Sequence, residues 1–376
     1  MANYSISPEW VSETQQQGWG TLITADNSST TSTSWFYGMK PLIDKSVQAG
    51  STFANGIVST YSLITTVNGA FQGGVLAPNG DIHFIPYASG VGQKISSTGA
   101  VSTYSLVYTT TAMYIGGVLA PNGDIHFVPN IGVRGQKVSS AGVVSTYSLV
   151  YTVSQAYVGG VLAPNGDIHF IPYSATVGQK VSSAGVVSTY SLVYAAGQAY
   201  WGGVLAPNGD IHFVPYSANR GQKISAAGVV STYSLVYTAA GAYVGGVLAP
   251  NGDIHFIPQG SSAPGQKISV AGIVSTYSLV NPGGGSYSGG VLAPNGDIHF
   301  IPQGATVGQK ISAAGVMSTY VLVNTATGSY RGGILAPNGD IHFVPYITSV
   351  VGQKISTMPA IPFNQSICSS PFFNKL

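Results

Sequence analysis

Short segments dominate the chain between residues 56 and 356, and their apolar and polar positions alternate with the period of two that marks β-strands. GGVLAP and DIHFIP are rich in apolar and β-branched residues and are joined through Asn-Gly, the strongest short hairpin signal. GQKIS or GQKVS forms a third short run, and a Gly turn leads from it into VVSTYSLV, a β-branched and aromatic fourth. The pattern predicts four antiparallel strands in succession. No helical period of 3.6 residues appears within it.

This unit recurs. GGVLAPNGDIHF, once relaxed to GGILAPNGDIHF, occurs seven times, with its aspartates at Asp81, Asp124, Asp167, Asp210, Asp253, Asp297 and Asp340. The spacing is 43 residues with a single 44, and every copy is preceded by STY and followed by GQK. A period in this range marks solenoids and propellers, and four strands per period select the propeller. The expected fold is all-β: a seven-bladed β-propeller of four-stranded antiparallel blades.

The first strand of the array, residues 56–64, is a fourth strand without its own blade, whereas the last copy supplies three strands and no fourth. The two ends are predicted to complete one blade together, which locks the ring and removes an open sheet edge. Three parts follow: a segment 1–55, the propeller 56–356 and a tail 357–376. Ser7-Pro8-Glu9 suggests an N-cap and a short helix to about Gln17, and the apolar tail with Phe363, Phe372 and Phe373 reads as a docking segment.

The blade string GGVLAPNGDIHFIP, then GQKIS, a Gly turn and VSTYSL, resembles the NHL and SMP-30-like class of propeller repeats over residues 56 to 356. It departs from that class at the Pro ending the second strand and the Gln-Lys opening the third. The resemblance implies the fold; the class includes hydrolases, sensors and binding scaffolds. The near-identical copies and their neutral Ser/Thr/Gly/Tyr surface also resemble repetitive viral or phage structural proteins.

Composition narrows the partners. Charged side chains make up 6% of the chain and the net charge is +2, with no block of Lys or Arg. Nucleic acid and anionic membrane surfaces are not expected partners. No apolar run is long enough to span a bilayer, and the start of the chain carries no signal peptide pattern, so the chain reads as soluble or as exported by another route. The single Cys368 leaves the redox compartment open.

Asp-x-His, repeated seven times, invites a metal reading, because both side chains fall on one face of a strand. Seven equivalent histidines in mid-blade cannot converge on one ion, so Asp, His and the Lys of GQK are assigned to a hydrogen-bonded scaffold, with no metal or cofactor. The propeller segment contains no Glu, and its only aspartates are the repeated ones. With no asymmetric acid or base to carry catalysis, the sequence reads as non-enzymatic with no catalytic residue.

Variation collects at one rim, the loop face, where second strands connect to third strands and one blade passes to the next. The residue before each Gly-Gly is in turn Gln72, Ile115, Val158, Trp201, Val244, Ser288 and Arg331. The aromatic before it, Phe71 or its Tyr equivalents, recurs in every blade, which favours packing between blades while leaving exposure open. A second set, Tyr87, Tyr173, Tyr216 and Tyr346 alternating with Asn130, Gln259 and Gln303, reads as exposed. With Gln72, Trp201, Arg331, Arg134 and Arg220 these are the candidate ligand-binding residues, suited to a glycan or a receptor protein.

The expectation from sequence is an interaction module of a viral or extracellular particle. It would bind through the loop face and be anchored to other proteins of a larger assembly by residues 1–55 and 357–376. A lectin-like propeller is the alternative, and an SMP-30-like hydrolase the third reading.

Overall fold

A computed structural model describes residues 57–357 apart from 261, 283 and 348–350. The segment 1–55 with its expected helix, and the tail from 358 onward, lie outside the described residues. Twenty-eight strands form seven four-stranded antiparallel sheets. In the first blade these are β2 (Phe71–Leu76), β3 (Ile82–Pro86), β4 (Val91–Ile95) and β5 (Val101–Ser105), in sequential order from the axis outward. Inner strands of successive blades touch one another, and the last of them, β26 (Tyr330–Leu335), meets β2 to close the ring.

Closure follows the sequence reading. β1 (Ile57–Tyr61) pairs antiparallel with β28 (Gly352–Ser356), Ile57 opposite Ser356 and Tyr61 opposite Gly352, and the sheet order is β1-β28-β27-β26, with β27 spanning Asp340–Pro345. Chain entry and chain exit therefore stand side by side at one rim, the rim of the Asn-Gly turns.

The core lies between blades. Tyr157, Ile168 and Phe170 of the third blade pack against Val118 and Val128 of the second, and the same arrangement recurs around the ring. Phe71, Tyr114, Tyr157, Tyr200, Tyr243, Tyr287 and Tyr330 are all buried, which places the recurring aromatics in this packing. Each such burial contributes roughly 1.5–3 kcal/mol. Second strands such as β3 are buried along their whole length, with a neighbouring blade on either side.

Two details depart from the sequence reading. The fourth strand ends at Ser105 instead of running through Leu106 and Val107, because the amides of Val107 and Tyr108 leave the ladder and donate to Gln136 Oε1 of the next blade, at 3.1 and 2.8 Å. The inner strand begins at the aromatic, ahead of Gly-Gly, and carries a one-residue bulge: Phe71 pairs with Pro86 and Gly74 with Phe84, so Gln72 and Gly73 face a single partner position. A bulge bends the strand and re-aims the side chain beside it.

Candidate functional site

The repeated polar residues build the blade. Lys94 Nζ lies 2.7 Å from Asp81 Oδ2, an ion pair present in each of the seven blades. Desolvation pushes the Asp81 carboxyl up, but the hydrogen bond and charge of Lys94, the Ser97 amide and Asn79 outweigh it and hold the group below its usual range. His83 sits opposite Lys94 across β3 and β4, and its Nδ1 is 3.2 Å from Tyr104 Oη. Burial, reinforced by the Lys94 charge and opposed by Asp81, lowers the His83 pKa to about 4, so the ring is neutral near pH 7. Among the described residues no three His, Cys, Asp or Glu side chains come together in a group able to hold a metal ion.

The glutamine of GQK has a role that sequence reasoning missed. Gln93 is fully buried and its Oε1 accepts from the amides of Ile64 and Thr65, at 3.1 and 2.8 Å, where the chain leaves the outer strand of the preceding blade. Gln136, Gln179, Gln222 and Gln266 repeat the contact. Each is a clip between neighbouring blades.

The asymmetric site is the loop-face mouth of the central channel. Bulging of every inner strand aims the residue before Gly-Gly at the axis, and Gln72, Ile115, Val158, Trp201, Val244, Ser288 and Arg331, with Gln259, line a cavity of about 150 Å³. Beneath them runs a ring of glycines. A Cβ on Gly73 would stand 3.0 Å from Gly116 Cα, one on Gly116 3.1 Å from Gly159 Cα, and the series closes with Gly332 at 3.4 Å from Gly73 Cα. The left-handed φ of 88° at Gly73 and this close approach both demand glycine. The floor is constant and the wall above it varies.

That wall has two halves. On one side Ile115, Val158 and Tyr173 form a buried cluster against which Tyr87, Trp201 and Tyr216 pack. Trp201 meets Tyr173 edge-on at a centroid distance of 5.3 Å and Tyr216 at 5.1 Å. On the other side the groups are polar. Ser288 Oγ donates to the Tyr330 carbonyl at 2.9 Å, and Gln259 Nε2 donates to Gln303 Oε1 at 3.2 Å. Arg331 lays its guanidinium over Tyr346, 4.7 Å from the ring centre, and its buried Nε has no hydrogen-bond partner among the described residues. Gln72 completes this side, 6% exposed.

The structure separates the sequence candidates. Gln72, Trp201, Gln259 and Arg331 share the cavity; Tyr87, Tyr173, Tyr216, Gln303 and Tyr346 support its wall. The set read as exposed is not: Asn130 is buried and donates from Nδ2 to the Tyr157 carbonyl at 3.2 Å, Tyr173 is buried under Trp201, and the others are half-buried. Arg134 opens β8 (Arg134–Val138), opposite Ser148 of the outermost strand, and Arg220 lies over Tyr194 at 5.4 Å. Neither arginine lines the mouth cavity.

No protein-family model matches the sequence, and no curated protein matches it significantly. Solved structures do match. A streptogramin B lyase superposes with a TM-score of 0.71 at 20% identity, over 81% of this chain and 99% of that one. A catalytically inactive virginiamycin B lyase from Staphylococcus aureus with quinupristin gives 0.70 at 16% identity, over 80% and 99%. The extracellular domain of a protein described as a hybrid two component system from B. thetaiotaomicron gives 0.61 at 12% identity, over 81% of this chain and 42% of that one. At these identities the likeness is one of fold.

These neighbours correct the sequence reading. The first two carry the names of lyases, none carries that of the NHL or SMP-30-like class, and they bear on no viral role. The expectation of a non-enzymatic chain is overturned: structures that share this fold over 99% of their own length include lyases, so the architecture is no ground for excluding catalysis.

Proposed function

We propose that this propeller recognises a small amphipathic ligand in the loop-face mouth, with an aromatic or apolar group against Trp201 and an anionic group, a carboxylate, at Arg331. The observation that carries the reading is the buried Nε of Arg331, without a partner among the described residues, in the same cavity as Trp201. A buried donor without a partner is costly, and an arginine presents its donors in a planar fork matched to a carboxylate. The apolar half of the wall supplies the area and the polar half fixes orientation, the usual division in small-molecule sites.

The neighbours support a ligand-holding role in their own terms, one structure being named with quinupristin and another as an extracellular domain of a two component system. Because lyases share the fold, the reading includes chemistry on the bound molecule. The geometry also suits an anchored module: entry at Ile57 and exit at Ser356 are paired neighbours at the rim opposite the mouth. In this reading residues 1–55 and 357–376 engage other proteins of an assembly while the mouth faces outward.

The test is ligand-observed NMR with phenylacetate and its neutral counterpart phenylacetamide, followed by mass spectrometry of the recovered probe to detect turnover. Phenylacetate should bind more tightly than the amide, Trp201→Ala should weaken both, and Arg331→Met should remove the preference. Equal binding by all three proteins would sink the reading.

A further inference from the structure

A second kind of cavity lies far from the mouth, between blades at the rim of the Asn-Gly turns. Its volume is about 210 Å³, room for roughly seven waters and below the approximately 300 Å³ at which pockets for drug-sized ligands begin. One wall is Asn165, His169, Lys180 and Tyr190 of the third blade; the other is the turn from Ser225 to Gly228 of the fourth. All four residues of the first wall belong to the repeat, so the ingredients recur at every blade junction. The junction geometry recurs too: the Asn-Gly glycine stands against the proline of the preceding blade at Gly123–Pro78, Gly166–Pro121 and Gly209–Pro164 alike.

The chemistry of the groove is neutral and hydrogen-bonding. Lys180 is balanced by Asp167 at 2.7 Å, and burial keeps the His169 ring uncharged near pH 7. Lys180 Nζ spends one of its three donors on Asp167, and His169 engages Tyr190 through Nδ1, with no bond to its Nε2 among the described residues. An anion would meet a lysine already paired. A ring bearing adjacent hydroxyls would accept from the spare donors and donate to backbone carbonyls of the facing turn.

We propose that the blade junctions at this rim are a repeated set of sites for a neutral monosaccharide. The lip of each groove is the second residue of the facing turn. It is small at five junctions, Ser97, Ser140, Ser183, Ala226 and Ala313, and branched at one, Val270; the residues that follow Thr357 at the seventh lie outside the described ones. A Cβ on Gly252 would come within 2.4 Å of Val270 Cγ2, whereas one on Gly209 would stand 3.0 Å from Ala226 Cβ, so Val270 narrows its groove. Five sites are open. Weak single sites in this number give avidity for a surface that displays the sugar densely.

The test is equilibrium dialysis of the full chain against radiolabelled glucose, galactose, mannose, fucose and N-acetylglucosamine at millimolar concentration. One of these should saturate near five molecules per chain. The triple variant Ser140→Tyr/Ser183→Tyr/Ala226→Tyr, at lip positions on exposed turns, should lower that number to about two, and Val270→Ala should raise it by one. Failure of every sugar in the panel to bind, a stoichiometry of one, or an unchanged number in the triple variant would overturn the proposal.

Discussion

The ring of Tyr104 lies directly across Gly92, so close that a Cβ on Gly92 would stand 2.1 Å from Tyr104 Cζ. The same pairing recurs at Gly135 with Tyr147 and at Gly178 with Tyr190, which explains why GQK and STY travel together through the repeat. Glycine leaves the space, and tyrosine fills it and carries a hydroxyl to His83 Nδ1. Gly92→Ala should therefore cost about 1–3 kcal/mol through overpacking, measured by chemical denaturation. Gly90→Ala is the control, because no atom lies within 4 Å of its added Cβ; it should be neutral within about 0.5 kcal/mol. Equal effects of the two substitutions would contradict the pairing.

The buried histidines make stability depend on pH. His83, His126, His169, His212, His255, His299 and His342 all have pKa values lowered to about 4 in the folded chain, against 6.5 for a free ring. Between those values the unfolded chain binds more protons, so the stabilisation is complete above pH 6.5 and is lost as pH falls towards 4. Each histidine contributes up to about 1.4 kcal/mol per pH unit in that window. The Asp81 and Asp124 carboxyls, lowered by Lys94 and Lys137, extend the loss to lower pH. Melting temperature should drop steeply from pH 6.5 to pH 4.5, and a flat profile there would show that the histidines are not buried neutral.

Gln179 tests the clip between blades. Its Oε1 accepts from Val150 and Tyr151 amides at 3.0 and 2.8 Å. Gln179→Leu keeps the volume and removes the acceptor, at a cost of about 1–3 kcal/mol for the amides left without partners. Hydrogen exchange at Val150 and Tyr151 should accelerate while Val107 and Tyr108, held by Gln136, stay protected. Unchanged exchange at all four would contradict the assignment.

The fold was legible in the sequence because one repeat states four strands and seven repeats state a ring; the unmatched strand ahead of the first copy even announced its partner at the chain's other end. The bulge was not legible, since Gly-Gly reads as a weak strand start and the need for a left-handed residue at Gly73 arises only when Gly116 approaches it. Gln93 gave no signal, because the amides of Ile64 and Thr65 belong to the blade before it. Tyr173 and Asn130 read as exposed on composition, yet their burial depends on Trp201 and Tyr157 of the following blades. What the sequence hid at the site was contact between blades.

The central claim is that the mouth holds a ligand between Trp201 and Arg331. Fluorine NMR of the chain carrying 5-fluorotryptophan, with the Trp201 resonance assigned by its loss in Trp201→Phe, measures this directly. Titration with phenylacetate should shift that resonance saturably, and Arg331→Met should raise the apparent Kd about tenfold, the effect of roughly 1.4 kcal/mol. A Trp201 resonance that stays in place at saturating phenylacetate, or one that shifts with the same Kd in Arg331→Met, would contradict the account.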